Sequence, residues 1–100
     1  MTMPCGLTPA EVTQLAGVLR RYPDVERGVL VGSRAKGNAR PNSDIDLALY
    51  GPIDDLTAER IAADMDELPL PYLFDIKAMA SLKSPALIDH IQRVGVNIYA

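Results

Sequence analysis

The sequence is poor in the residue types that several protein classes require. It contains one cysteine, Cys5, which excludes an internal disulfide and is typical of a reducing compartment. No apolar stretch approaches the roughly 18 residues that a membrane span needs. Residues 1–4 lack the basic and apolar parts of a signal peptide. We therefore expect a cytoplasmic protein with no membrane association.

Positive charge is also scarce over the chain as a whole. The net charge is −3 and the isoelectric point is near 4.9, whereas broad nucleic-acid binding requires a basic face. Direct nucleic-acid binding is therefore not expected. With 100 residues, of which 48% are hydrophobic and 23% charged, the composition indicates one soluble domain over residues 1–100. From that length we expect no second, substrate-binding domain.

The most informative segment is residues 32–46, which read GSRAKGNARPNSDID. An apolar run at residues 29–31 predicts a buried strand that ends at Gly32 and Ser33. Glycine lets the backbone turn sharply and lets a phosphate approach without a Cβ in the way. Ser33 can offer its hydroxyl and its N–H. The sequence therefore predicts a phosphate-binding turn directly after the first strand.

Three carboxylates accompany this turn. Asp44 and Asp46 flank Ile45 in a predicted strand that continues to Tyr50, and Asp75 interrupts a later apolar, strand-like run. Residues two apart in a strand share a face, so the first two carboxylates should converge. Two aspartates on one face repel unless a cation lies between them. Hard oxygen ligands of this kind suit Mg²⁺ or Mn²⁺, so the pattern predicts a divalent-metal site.

Each part of this pattern also has an ordinary structural explanation. Gly-Ser can be a plain turn, Asp-Ile-Asp a solvated edge strand, and a basic loop a solvated surface. At this spacing, with a strand before each motif, the combination favours phosphoryl or nucleotidyl transfer. The loop between the motifs concentrates positive charge, which in an acidic chain suits a triphosphate better than a polynucleotide. Its basic residues are Arg34, Lys36 and Arg40.

These motifs resemble those of the minimal nucleotidyltransferases (MNT), a branch of the DNA polymerase β-like nucleotidyltransferase superfamily. The family pattern is Gly-Ser, a loop, Asp-x-Asp and a third carboxylate on a later strand. Members commonly read Gly-Ser-Arg-Ala-Arg-Gly, whereas this chain has Lys36, which keeps the charge but not the planar fork of arginine. The resemblance covers nearly the whole chain. It implies an α+β nucleotidyltransferase fold like the polymerase β palm, a small mixed β-sheet with helices packed on one side.

The resemblance also implies a metal-dependent enzyme. Asp44, Asp46 and Asp75 would hold Mg²⁺ or Mn²⁺, and Asp75 would also act as a general base. The residues that would bind the phosphates of ATP are Gly32, Ser33, Arg34, Lys36 and Arg40.

Members of this branch are typically paired with a HEPN ribonuclease toxin and transfer AMP from ATP to a tyrosine hydroxyl on it. We therefore expect an antitoxin that forms a hetero-oligomer with a HEPN-domain partner. Two alternatives remain open. The chain could be a non-catalytic module that neutralises a partner by contact, or it could transfer a nucleotide to a small molecule such as an aminoglycoside.

Local patterns predict the element order α-β-β-α-β-α-β. A capping box at Thr8 and Glu11 begins the first helix. His90, with no histidine or cysteine at ligand spacing, is predicted to be an inert surface residue. The later predicted elements are a helix over 56–68, a strand over 72–79, a helix that begins at Ser84-Pro85 and is capped by Gly95, and a strand over 96–99.

Overall fold

The computed structural model describes residues 7–31, 45–70 and 72–99. These residues form helices and strands in the predicted order, which is thereby confirmed. In the described ranges no helix is long and apolar enough to cross a membrane. The elements are α1 (Pro9–Leu19), β1 (Arg27–Val31), β2 (Ile45–Tyr50), α2 (Asp55–Asp66), β3 (Phe74–Ala78), α3 (Pro85–Val94) and β4 (Val96–Tyr99), with a 3₁₀ turn at Met79–Ser81.

Each helix begins where a short polar side chain accepts a hydrogen bond from a free N–H of the first turn. At α1 the predicted capping box is present: Thr8 Oγ1 accepts from the Glu11 N–H at 3.1 Å, and Glu11 Oε1 accepts from the Thr8 N–H at 2.9 Å. Asp54 caps α2 and Ser84 caps α3 in the same way. The hydrogen bonds from Thr57 hold the pKa of the Asp54 carboxyl below its ordinary value. Local sequence is therefore sufficient to start all three helices.

The four strands form one mixed sheet in the order β3-β2-β1-β4. β2 pairs with β1 in antiparallel fashion and with β3 in parallel fashion, and β4 pairs antiparallel with β1 on the other side. β1 and β2 are therefore the central strands. Most of their side chains are buried, on both faces of the sheet. The predicted mixed sheet is confirmed.

Helices α1 and α2 cover one face of this sheet. Ile45, Leu47 and Leu49 of β2 point toward these helices and are 0% exposed. Leu15 of α1 and Ile61 of α2 meet them and are also fully buried. This face carries the main hydrophobic core.

Helix α3 lies on the opposite face. Its Ile91 is 1% exposed and belongs to a second, smaller cluster with Val29, Val31 and Ala48. The predicted α+β class is confirmed. The prediction that the helices pack on one side of the sheet holds for α1 and α2, whereas α3 packs on the other side. The reason is that β1 and β2 carry apolar side chains on both faces, and both faces need cover.

Close packing confines the turn from α3 into β4. Gly95 is the C-terminal cap of α3, as predicted, but its φ of −65° and ψ of 145° are extended rather than left-handed. A Cβ at this position would lie 2.1 Å from Val29 Cγ1 and 2.6 Å from the Ile91 carbonyl oxygen. Glycine is required here because β1 passes so close, and this contact seats α3 on the sheet.

Tyr22, in the connection between α1 and β1, is hydrogen-bonded to α2. Its hydroxyl donates to Asp64 Oδ2 at 2.5 Å, and this bond, followed by burial, raises the pKa of Tyr22 above its ordinary value. Because the pKa of this hydroxyl is higher in the folded state than in the unfolded state, its contribution to the free energy of unfolding is fully present below the ordinary tyrosine pKa of about 10. The contribution is lost as the pH rises through the higher, folded-state pKa. The bond therefore stabilises the fold at neutral pH and weakens in alkali.

We expect Tyr22→Phe to lower the free energy of unfolding by about 1 kcal/mol near neutral pH. The decline of stability above about pH 10 should also become shallower, because the titrating hydroxyl is gone. Urea unfolding at several pH values measures both effects. A double-mutant cycle with Asp64→Ala isolates the pair; equal effects of Tyr22→Phe in both backgrounds would show that the bond contributes nothing.

Gly51, directly after β2, has a φ of +130°, and a Cβ there would lie 2.0 Å from the Asp24 carbonyl oxygen. We expect Gly51→Ala to destabilise the fold by at least about 1–3 kcal/mol. The matched control is Gly17→Ala in α1, where a Cβ meets nothing within 4 Å and where alanine should stabilise by about 0.5–1 kcal/mol. Thermal unfolding compares the two; an unchanged melting temperature for Gly51→Ala would contradict this account.

Candidate active site

Two of the predicted site residues lie in the described ranges, and the sheet places them side by side. Asp46 and Asp75 are each the second residue of their strand, and they are register partners across the parallel pair β2 and β3. Their neighbours Ile45 and Phe74 also pair and point into the main core. Because side chains alternate, both carboxylates point to the opposite face, on which α3 lies.

A third strand extends this arrangement. Val31, the last residue of β1, is the register partner of Asp46 on its other side. Val31, Asp46 and Asp75 therefore form one row across three strands, which we name the Asp46 row. Neighbouring strands are about 4.8 Å apart, so the two carboxylates of the row repel one another, and a bound cation would relieve that repulsion.

Lys77 is a site residue that sequence reasoning missed. It lies two residues after Asp75 on the same face of β3, and its Nζ donates to Asp75 Oδ2 at 2.6 Å. The Lys77 side chain is 33% exposed and that of Asp75 is 61% exposed, and exposed pairs of this kind contribute less than about 1 kcal/mol. The ion pair matters chiefly because it holds one positive charge beside the Asp46 row. The i, i+2 spacing of Asp75 and Lys77 in a strand was the signal available.

A cleft opens between α3 and the Asp46 row. We name it the α3 cleft; its volume is about 190 Å³, and it is lined by Val31, Asp46, Lys77, Leu87, His90 and Ile91. His90, predicted to be an inert surface residue, is half-buried here. Leu87, His90 and Ile91 are three and four residues apart and so share one face of the helix. That spacing could have indicated the position of His90 from sequence.

Several predicted residues lie outside the described ranges: Asp44, Gly32, Ser33, Arg34, Lys36 and Arg40. Within residues 7–31, 45–70 and 72–99, no group of three or more histidine, cysteine, aspartate or glutamate side chains could hold a metal ion. Asp46 and Asp75 nevertheless supply two hard oxygen donors from neighbouring strands, a donor set that suits Mg²⁺ or Mn²⁺. Asp44, two residues before Asp46, is the third carboxylate of the predicted set.

Solved structures of toxin-antitoxin proteins share this fold. A mutant form of the toxin-antitoxin MntA-HpeT matches with a TM-score of 0.74 and 21% identity, over 89% of this chain and 73% of that one. A toxin-antitoxin with AMP-PNP matches with a TM-score of 0.73 and 22% identity, over 94% and 74%. The tri-AMPylated Shewanella oneidensis HEPN toxin in complex with MNT antitoxin matches with a TM-score of 0.63 and 19% identity, over 91% and 71%. Identities this low show a likeness of fold.

Comparison by sequence identifies the protein family of this chain. No curated protein matches the chain. The model of the family described as Polymerase beta, Nucleotidyltransferase matches residues 13–100, a range that includes every element from within α1 to β4 and all the predicted site residues. The chain therefore belongs to the polymerase beta nucleotidyltransferase family.

Proposed function

We propose that this protein is an antitoxin of the MNT type that transfers AMP from ATP to a hydroxyl, that of a tyrosine, on a partner HEPN toxin in the cytoplasm. The observation that carries the proposal is the register pairing of Asp46 with Asp75 on neighbouring strands. Family membership supports nucleotidyl transfer. The fold likeness to a complex of a tri-AMPylated HEPN toxin with its MNT antitoxin supports the acceptor.

The carboxylates would hold the metal and the loop would hold the phosphates. Asp44, Asp46 and Asp75 are the ligands we assign to Mg²⁺ or Mn²⁺. When bound, such an ion would supply the positive charge that stabilises the negative charge developing on the leaving pyrophosphate. The residues assigned to the outer phosphates are Gly32, Ser33, Arg34, Lys36 and Arg40.

The proposed step is an in-line displacement at the α-phosphorus of ATP. The acceptor oxygen forms a bond to this phosphorus while the bond to the oxygen that bridges the β-phosphate breaks. The electron pair of that bond leaves with pyrophosphate. The acceptor proton passes to the carboxylate of Asp75, which acts as the general base. The products are an AMP ester on the partner and pyrophosphate, and no covalent enzyme intermediate is required.

The exposure of Asp75 favours a macromolecular acceptor. Its side chain is 61% exposed, and β3 is an edge strand of the described sheet. A carboxylate in this position can meet a hydroxyl carried on the surface of another protein. A small acceptor, in contrast, would need a pocket around the base to hold it, and Asp75 does not line the α3 cleft. This favours a hetero-oligomer with the acceptor protein over transfer to an aminoglycoside.

One experiment separates this function from its alternatives. The purified protein is incubated with Mg²⁺, ATP labelled at the α-phosphate and the product of the neighbouring gene. Label on the partner, together with loss of the partner's ribonuclease activity, is the expected result. Loss of activity without label would indicate a contact-only antitoxin, and label on an added aminoglycoside alone would indicate a small-molecule transferase.

We expect Asp46→Asn to abolish transfer while the fold survives, because a neutral amide is a much poorer Mg²⁺ ligand than a carboxylate. Relief of repulsion within the Asp46 row should leave the melting temperature unchanged or slightly higher. The control is Asp66→Asn at the end of α2, on the opposite face of the sheet, which should transfer normally. Full activity of Asp46→Asn in Mg²⁺ would refute the metal assignment.

Asp75→Asn should leave partner binding nearly intact but slow transfer by at least about 10²–10⁴-fold, the usual contribution of a general base, because it also removes one of the assigned metal ligands. The variant also breaks the ion pair with Lys77, so the matched control is Lys77→Met, which removes the pair but keeps the carboxylate. Single-turnover transfer, followed by mass spectrometry of the partner, should fall much further in Asp75→Asn than in Lys77→Met. Equal losses would assign the effect to the ion pair and exclude Asp75 as the base.

A further inference from the structure

The lining of the α3 cleft has the chemistry of a site for a flat, partly polar ring. Its helix wall presents Leu87, His90 and Ile91, and Val31 continues the apolar surface on the sheet. Ile91 is 1% exposed and Leu87 is 37% exposed, so the wall is apolar at its base and open toward solvent. The half-buried imidazole of His90 adds a group that can stack on a ring or hydrogen-bond to its edge.

The charged end of the cleft is part of the Asp46 row. Asp46 and Lys77 line the cleft together with the apolar residues, whereas Asp75 lies on the far side of Asp46, on the edge strand. A molecule in the cleft therefore has its polar end beside the proposed metal ligand and its apolar part under α3.

In-line displacement determines which part of the substrate faces the cleft. The acceptor oxygen and the leaving pyrophosphate lie on opposite sides of the α-phosphorus. The acceptor is on the Asp75 side of the row, and Val31, at the other end, directly precedes the predicted phosphate-binding residue Gly32 in the chain. The acceptor and the pyrophosphate therefore occupy the two ends of the row. The ribose oxygen is then one of the three substituents at about a right angle to the row, and one such direction runs along the strands toward α3.

We propose that the α3 cleft binds the nucleobase of the nucleotide substrate, with Leu87 and His90 as residues that determine specificity. The assignment rests on the proposed nucleotidyl transfer and extends it. Leu87 covers one face of the base from the α3 wall, Val31 lies toward the other face on the sheet, and His90 reads its edge. The cleft thereby distinguishes a nucleoside triphosphate from an inorganic polyphosphate with the same number of phosphates.

The test compares two probes by titration calorimetry. Mg-ATP carries a base and Mg-tripolyphosphate does not, while both can occupy the phosphate and metal site. The variants Leu87→Ala and His90→Ala are made as two separate proteins, so that a folding defect in one does not affect the test of the other. The matched control is Leu56→Ala, which truncates an exposed leucine on α2, on the opposite face of the sheet. Circular dichroism confirms that each variant is folded.

The expected result is that each cleft variant weakens Mg-ATP binding about tenfold, while Mg-tripolyphosphate affinity changes by less than about twofold. Leu56→Ala should change neither. Unchanged Mg-ATP affinity in both cleft variants would overturn the assignment, as would equal losses for the two probes. A raised KM for the acceptor protein with unchanged Mg-ATP affinity would also overturn it, because the cleft would then belong to the acceptor.

The wild-type protein separates this proposal from the one on which it rests. If it binds Mg-ATP and Mg-tripolyphosphate equally well, the base makes no contact, and the cleft assignment fails while nucleotidyl transfer stands. If it binds neither probe, the proposed function fails, and the cleft assignment fails with it.

Discussion

Strand β2 lies between an antiparallel and a parallel neighbour, and the rest of the structure depends on how its side chains alternate. Ile45, Leu47 and Leu49 fill the main core, while Asp46 points to the other face. A slip of one residue would turn Asp46 into the core and the leucines away from it. An unpaired buried carboxylate costs on the order of several kcal/mol. The hydrophobic burial that sets the register therefore also sets the position of the carboxylate.

The crossover between β2 and β3 leaves the carboxylate face accessible. Parallel strands cannot be joined by a tight turn and need a connection that passes over one face of the sheet. Helix α2 provides it on the core face, where Ala58, Ile61 and Met65 are buried. Asp46 and Asp75 are thus brought together by a helix that does not cover them. Core formation and access to the candidate site are consequences of the same connection.

Helix α3 covers only part of that accessible face. Ile91 anchors it in the smaller cluster, and the close approach of Gly95 to Val29 sets how near it lies to the sheet. The α3 cleft is the space between this anchored helix and the Asp46 row, so among the described residues the packing of α3 sets its width. A site held between packed elements keeps its geometry better than one formed by loops alone. Lys77 adds a positive charge on the same face, beside Asp75.

The sequence alone determined the helix starts, the element order, the Gly-Ser and Asp-x-Asp motifs and the family, because each depends on residues that are close along the chain. Strand limits were less exact: the predicted strand over 72–79 is Phe74–Ala78, since pairing with β2 defines its ends. Only the tertiary structure decided that Asp75 is the register partner of Asp46 and that α3 packs on the second face. These features depend on strand register and on the face to which a helix packs. Both are set by contacts between residues distant in sequence, which no local pattern encodes.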